Sequence, residues 1–220
     1  MKTVLAIIAC ALVGYVLGSV STGVIVSKAY GRIDIRKNGS GNVGMTNVMR
    51  TLGWVPSFLT FAGDALKGVL GAYIGKLIYP EAGLYIGGLC AILGHNYSFF
   101  YNFKGGKGMS TSFGVLLVAD WRVAIALVIV QAVIVLITGY MSVASLSTAI
   151  LLPISVFFVF HGNIYFKILS LLMCALALYG HRENIKRLIH GNENRLDANK
   201  ITEVSRKMVQ KIKDRRNKRA

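Results

Sequence analysis

The chain has 220 residues, of which 54% are hydrophobic and 15% charged, and its mean hydropathy is +0.56. Soluble domains carry charge on about a quarter of their residues, so this composition excludes an ordinary water-soluble globule. The net charge is +16, and half of it lies from Arg182 onward, where 13 Lys and Arg face 5 Asp and Glu.

A membrane-crossing helix needs about 20 mostly apolar residues. The first such run, Val4 to Val26, has no charged residue. Met1-Lys2 before it suggests a secretion signal, and Ile7-Ile8-Ala9-Cys10 resembles a lipoprotein cleavage box. The lead-in is too short and the hydrophobicity runs on to Val26, so the segment reads as a first transmembrane helix. A loop carrying Lys28, Arg32, Arg36, Lys37 and Arg50 follows. The second run, Val55 to Ile78, contains Asp64 and Lys67 three residues apart and able to pair, as a structural pair or as a support for the loops. Tyr79-Pro80-Glu81-Ala82-Gly83 breaks the chain before the third run, Leu84 to Phe103, with His95 as a helix-packing polar residue. A short run, Met109 to Ala119, is separated by Asp120-Trp121-Arg122 from Val123 to Ile137. After Thr138 to Ser142 come Val143 to Phe160, the break His161-Gly162-Asn163, and Ile164 to Tyr179.

The expected fold is an all-α integral membrane protein of seven transmembrane helices. Lys and Arg of short loops mark the cytoplasmic side. The loops at 79–83 and 161–163 have neither, whereas 27–53, 104–108 and the C-terminal tail are basic. The N-terminus is therefore expected outside and the C-terminus in the cytoplasm. Without the short fourth helix the 104–108 loop and the tail would fall on opposite sides. Residues 1–195 read as a single polytopic domain and 196–220 as a basic cytoplasmic tail. Because the tail follows an apolar span, its expected partner is the anionic membrane surface, not nucleic acid. Cys10, Cys90 and Cys174 all lie in apolar runs without CxxC spacing, as small apolar fillers and not as a disulfide or zinc set.

Three polar clusters are candidates for chemistry. The first runs from Arg36 to Arg50 and contains Gly39, Ser40, Gly41, Asn42, Gly44, Thr46 and Asn47. Its GxGxxG spacing matches a dinucleotide fingerprint, but both flanks are membrane spans instead of a strand and an amphipathic helix, so that fold is rejected. The physical content remains: glycines let backbone N–H groups approach an anion, and the hydroxyls, amides and cations around them suit a phosphate. The second cluster is Lys104-Gly105-Gly106-Lys107-Gly108, opening a helix at Met109. Gly108 stands where an ATP-binding P-loop needs Ser or Thr after its lysine, so a nucleotide site is not expected. Lysines and glycines at a helix N-terminus still suit a phosphate. The third is His181-Arg182-Glu183-Asn184, with His181 and Asn184 on one helical face.

No histidine is followed at the fifth position by aspartate: the residues there are Phe100, Phe166, Lys186 and Arg195. GxSxG and HExxH motifs are absent as well. An enzyme with this sequence would use a substrate that arrives already activated.

Across these clusters the chain resembles the bacterial acyl-phosphate:glycerol-3-phosphate acyltransferase family. The matching stretches are Gly18-Ser19 with Thr22-Gly23, Asn38 to Asn47 through Arg50, Gly63-Asp64 with Leu66-Lys67-Gly68, Gly94-His95, Phe103 to Gly108 and His181 to Arg187. The likeness runs to about residue 195; it departs at Ser21 and Ser98, where the family usually has proline. The resemblance implies transfer of a fatty acyl group from acyl phosphate to glycerol 3-phosphate, giving lysophosphatidic acid. The site would face the cytoplasm, at the bacterial plasma membrane. It implies that Gly105, Gly106 and Gly108 approach the acyl phosphate. Lys107, Arg50, His181 and Asn184 would hold glycerol 3-phosphate or the transferring phosphate, with Ser145 nearby and Ser40 and His181 orienting the groups. Ser40, His181, Arg50 and Lys107 are thus the expected catalytic residues. Gly39, Gly41, Asn42, Gly44, Thr46, Asn47, Lys104, Gly105, Gly106, Gly108, Ser145 and Asn184 are the expected binding residues. No metal or other cofactor is required. The partners are the two substrates and membrane lipids, with the tail either recruiting an acyl-phosphate-forming enzyme or simply holding the membrane. The three loops are expected to wall one phosphate site. The rival reading, a transporter of an anionic metabolite, calls for paired broken helices or inverted halves, which the sequence does not display.

Overall fold

A computed structural model describes residues 1–217, apart from the side chains of 213, 215 and 216; the end of the basic tail, 218–220, lies outside the described residues. Among the described residues the chain is helical, without strands. In chain order the helices are α1 (Lys2–Ser19), α2 (Thr22–Val26, running into a π turn Ser27–Gly31), α3 (Met45–Leu52), α4 (Trp54–Ile78), α5 (Gly83–Asn96), α6 (Met109–Thr138), α7 (Met141–Ile154, running into a π turn Ser155–Val159), α8 (Ile164–Gly180), α9 (Arg182–Ile189) and α10 (Ala198–Asn217). Two compact units arise: Met1–Val20 with Asp64–Leu196, and Ser21–Gly63 with Asp197–Ala220.

Length and apolarity suffice for membrane crossing in Lys2–Gly31, Met109–Thr138 and Met141–Val159, and in a fourth stretch if Ile164–Gly180 and Arg182–Ile189, bent by 57°, count as one. The burial pattern agrees with a lipid environment. Leu136, Ile137 and Phe158 are 85%, 74% and 73% exposed, while Asp64, Lys67 and His95 are buried. In a bilayer the apolar side chains face out and costly ionisable groups turn inward.

In the larger unit, α1, α4 and α5 pack through glycine. A Cβ at Gly18 would strike the Ala91 carbonyl, and one at Gly75 the Gly83 carbonyl. Small residues let backbones approach where hydrophobic drive between helices is absent. Helix α1 stops where Val20 turns extended, which frees carbonyls that a lipid cannot satisfy. The Lys67 ammonium donates to Val20 O at 2.8 Å, and the Ser98 hydroxyl to Ser19 O at 2.5 Å. The Leu84–Phe103 run is helical only to Asn96; Asn102 and Phe103 take left-handed conformations (φ 54° and 58°) before the glycine–lysine loop.

The expected break at Asp120 is present: its backbone is extended (φ −160°, ψ 105°) and its Oδ1 accepts the Arg122 N–H at 2.9 Å, an N-cap for the second half of α6. A straight helix would place Met109 and Gln131 about 33 Å apart. Both line one cavity with Ser112, Leu116, Ala124 and Leu127, so the chain folds back at Asp120. Asn163 caps α8 in the same way, accepting Phe166 N–H at 2.9 Å.

In the smaller unit, α3 packs against α10, so the tail is not a bare charged extension but an ordered helix from Ala198. Ile201 is buried, and the Ser205 hydroxyl accepts the Trp54 N–H at 3.1 Å beside Gly53 (φ 92°).

Candidate functional site

Within the larger unit, the turn after α5 brings Gly105 to Gly108 onto the end of that helix. The Gly106 N–H donates to His95 O at 3.0 Å. Gly106 thus anchors the loop, and that N–H is committed. Helix α6 then starts at Gly108, which holds φ 80° as the N-cap, with Met109 and Ser110 in the first turn. Helix starts present N–H groups and a favourable field for anions. Lys107 follows the anchored glycine, and its Nζ donates to Asn184 Oδ1. Lys104 is exposed.

The other wall is the bend between α8 and α9. His181 ends one helix and precedes the next, and both it and Asn184 are buried. Its Nδ1 is 2.8 Å from Ala177 O. A carbonyl only accepts, so Nδ1 carries the proton and the neutral ring presents Nε2 as an acceptor. Burial, reinforced by the Lys107 charge, pushes this imidazole down to about 4, against the opposing pulls of the Ala177 carbonyl and Glu193. At neutral pH the ring is uncharged.

Sequence reading overlooked Glu193. Its carboxylate, 3% exposed, accepts Asn184 Nδ2 at 2.7 Å and Arg187 Nε at 2.8 Å. Burial raises its pKa, but those hydrogen bonds outweigh burial and hold it below the usual carboxylate value. Asn184 is thereby locked between an ammonium and a carboxylate, with its amide orientation set by both. The clue in the sequence is one acid in an otherwise basic stretch just past the third cluster. Arg195 and Leu196 return to the turn after α6, where Leu196 N–H donates to Gly139 O at 2.8 Å.

An apolar cavity, about 450 Å³ when its mouth open to solvent is included, begins near this cluster. Met109 and Ser112 bound it just after Gly108, and Ala177, whose carbonyl takes the His181 N–H, bounds it on α8. Its walls farther in are Leu116, Ala124, Leu152 and Met173. Ser145 is buried on α7, where its carbonyl accepts the Thr148 hydroxyl at 3.1 Å.

Within the smaller unit, the Arg36–Arg50 segment wraps around Asn47, which is 3% exposed. Asn47 Oδ1 accepts the Ser40 N–H at 2.9 Å, and its Nδ2 donates to Asn38 O at 2.9 Å and Asn42 O at 2.8 Å. Its amide is spent on holding the loop. Gly39 and Gly41 have φ of 60° and 73°, and Asn42 Oδ1 accepts the Gly44 N–H at 2.8 Å. The result is a tight glycine turn that leaves Ser40 exposed and feeds α3 at Gly44, with Thr46 in its first turn and Arg50 in its last. Arg36 is not at large: Asp34 takes its Nε at 2.9 Å and its Nη2 at 2.7 Å, and that guanidinium lowers the carboxyl to about 2. Among the described residues no set of three His, Cys, Asp or Glu side chains gathers to hold a metal.

The glycerol-3-phosphate acyltransferase family model matches residues 8–191. A glycerol-3-phosphate acyltransferase of Alkaliphilus metalliredigens is 42% identical over 182 residues, covering 83% of this chain and 92% of the relative. That of Carboxydothermus hydrogenoformans is 38% identical over 194 residues, covering 88% and 98%. Among solved structures, PlsY (YgiH), an integral membrane glycerol 3-phosphate acyltransferase, superposes in its glycerol 3-phosphate form with a TM-score of 0.83 at 36% identity. The match covers 89% of this chain and 98% of that one. Its lysophosphatidic acid form gives 0.81 at 34% identity, with the same coverage. The fold and its polar loops are those of an integral membrane acyltransferase. Within that class, the chain belongs to the glycerol-3-phosphate acyltransferase family.

Proposed function

We propose that this enzyme transfers a fatty acyl group from acyl phosphate to glycerol 3-phosphate, forming lysophosphatidic acid at the cytoplasmic face of the bacterial plasma membrane. The observation that carries the reading is the apolar cavity bounded by Met109, two residues past Lys107, and by Ala177, whose carbonyl meets His181. A cationic, hydrogen-bonding head next to a hydrocarbon slot suits a substrate with a phosphate at one end and an acyl chain at the other.

In the reaction a glycerol hydroxyl oxygen attacks the acyl carbonyl carbon. The bond from that carbon to the phosphate oxygen breaks, and inorganic phosphate leaves with the hydroxyl proton. An acyl phosphate is already activated, so alignment and charge stabilisation are the contributions asked of the protein. Gly105 and Gly108 keep the loop backbone clear of side chains, and Gly106 anchors it. Lys107 and Asn184 hold a phosphate, and the neutral His181 offers Nε2 to the attacking hydroxyl. In the smaller unit Ser40, the Gly39–Gly44 turn, Thr46 and Arg50 bind phosphate, while Asn47 gives the turn its shape. Lys104 has an accessory role in attracting anions, and Ser145, whose assignment rests on the family resemblance, is buried on α7.

We place residues 1–195 in seven crossings with the N-terminus outside, and 196–220 as a basic segment at the membrane surface. Support comes from the basic loops at 27–53 and 104–108, the uncharged breaks, and the reversal at Asp120. The test is direct. Purified protein in detergent, given acyl phosphate and glycerol 3-phosphate, releases phosphate in step with lysophosphatidate. Equal use of acyl-CoA, or no phosphate release, refutes the proposal.

A further inference from the structure

Three buried ionisable groups have no part in the transfer just described. Asp64 on α4 is 1% exposed, and the Lys67 ammonium lies 2.8 Å from its Oδ1. Nδ1 of His95, on α5, stands 3.5 Å from the same oxygen. Lys67 also ties to Val20 O at 2.8 Å, so the carboxylate is held from behind. The far edge of the imidazole meets the glycine–lysine loop. A Cβ at Gly106 would collide with His95 Nε2 and come within 2.9 Å of Cε1 and 3.0 Å of Cδ2. The same histidine's carbonyl receives the Gly106 N–H, and a Cβ at Gly105 would strike that carbonyl.

We infer that His95, oriented by Asp64, is a positioning residue for the transfer: it sets the seat of Gly105 and Gly106, and through them the placement of Lys107 and the start of α6. Apolar packing could fill this space without the expense of desolvating an ion pair. A carboxylate fixed by an ammonium instead dictates how the imidazole is turned. The ring edge and the carbonyl of one residue then grip the loop from the end of a helix. Lys107, the next residue, is delivered to Asn184. The inference rests on the reading of residues 105–108 as a phosphate-binding loop.

The test compares His95→Ala, His95→Asn, Asp64→Asn and Gly106→Ala proteins in detergent, with KM measured for each substrate alongside Tm. Ångström-scale misplacement of a binding loop costs an enzyme about tenfold or more. His95→Ala is therefore expected to raise the acyl phosphate KM by about that factor. Asp64→Asn moves the same constant in the same direction. The Asp64→Asn/His95→Ala double variant is no worse than His95→Ala, because Asp64 acts through the ring. His95→Asn, which keeps a side-chain partner for Asp64, recovers part of the loss and stands in if His95→Ala does not fold. Wild-type KM values in both His95 variants, with only Tm lowered, overturn the inference. Gly106→Ala separates the two ideas. If it raises the acyl phosphate KM and the His95 variants do not, the inference alone fails; if it moves neither KM, the phosphate-loop reading falls and takes the inference with it.

Discussion

Asn47→Asp changes one group in the smaller unit and removes the logic of its loop. The carboxylate keeps an oxygen for the Ser40 N–H. Its second oxygen, however, replaces the donor that reaches Asn38 O and Asn42 O at 2.9 and 2.8 Å. Two hydrogen bonds of about 1 kcal/mol each are lost, and facing acceptors at a 3% exposed site add about 1 to 2 kcal/mol. The total, about 3 to 4 kcal/mol, lowers the closed-to-open ratio of the loop about 150- to 900-fold. Activity should fall by a similar factor, and amide exchange at residues 38–44 should accelerate while the transmembrane helices keep their protection. The substituted carboxyl regains a donor only when acid protonates it. Relative to the unmodified enzyme, Asn47→Asp should therefore recover as pH falls, and Asn47→Ala should not. Wild-type exchange and activity in Asn47→Asp would refute the reasoning.

Lys107→Ala and Arg50→Ala should each lower activity at least about 100-fold, a typical loss for a charge-stabilising group, with insertion into membranes unchanged on fractionation. His181 is held at about 4, below the usual histidine value of about 6.5, so its contribution to stability is full above pH 6.5. That contribution declines as pH falls towards 4, where the unfolded chain takes up the proton first; a His181→Gln protein should have a flatter Tm profile across that window. Ala124→Phe places a ring inside the cavity and should raise KM for long acyl donors more than for short ones, leaving the glycerol 3-phosphate KM unmoved. Ser205→Ala removes the acceptor of Trp54 N–H and should cost about 0.5 to 1.5 kcal/mol, read as a lower Tm.

Several features were legible before any coordinates. The apolar runs are long because a bilayer demands them, and Asp120, Thr138 to Ser142 and His161 to Asn163 interrupt them with polar and glycine residues that end helices. Lysine beside glycine marks the 104–108 loop by composition alone. Other features left only faint traces. The stop of α1 at Val20 lies inside an uncharged stretch, and its reason, the Lys67 and Ser98 side chains that receive the freed carbonyls, comes from 47 and 79 residues away. The run to Phe103 looks helical by hydropathy, yet the helix ends at Asn96, where Tyr97 leaves helical geometry (φ −128°, ψ 65°), and the backbone at Asn102 and Phe103 is left-handed. Glu193 belongs to no motif, and only its contacts with Asn184 and Arg187 single it out.

Sequence by itself determined the solvent of this protein, its family and the residue types available to handle phosphate, because hydropathy, charge and local motifs are properties of short stretches. Tertiary structure alone decided what those residues are committed to. Gly106 N–H goes to a helix carbonyl, Asn47 to its own loop, Asn184 to a lysine and a buried acid, and His95 to a carboxylate on another helix. The Asn184–Lys107 and His95–Asp64 pairings join groups from different segments of the chain, and no periodicity within one segment encodes them. The physical reason is that buried polar groups must find partners, and only the packing of helices determines which partners lie within reach.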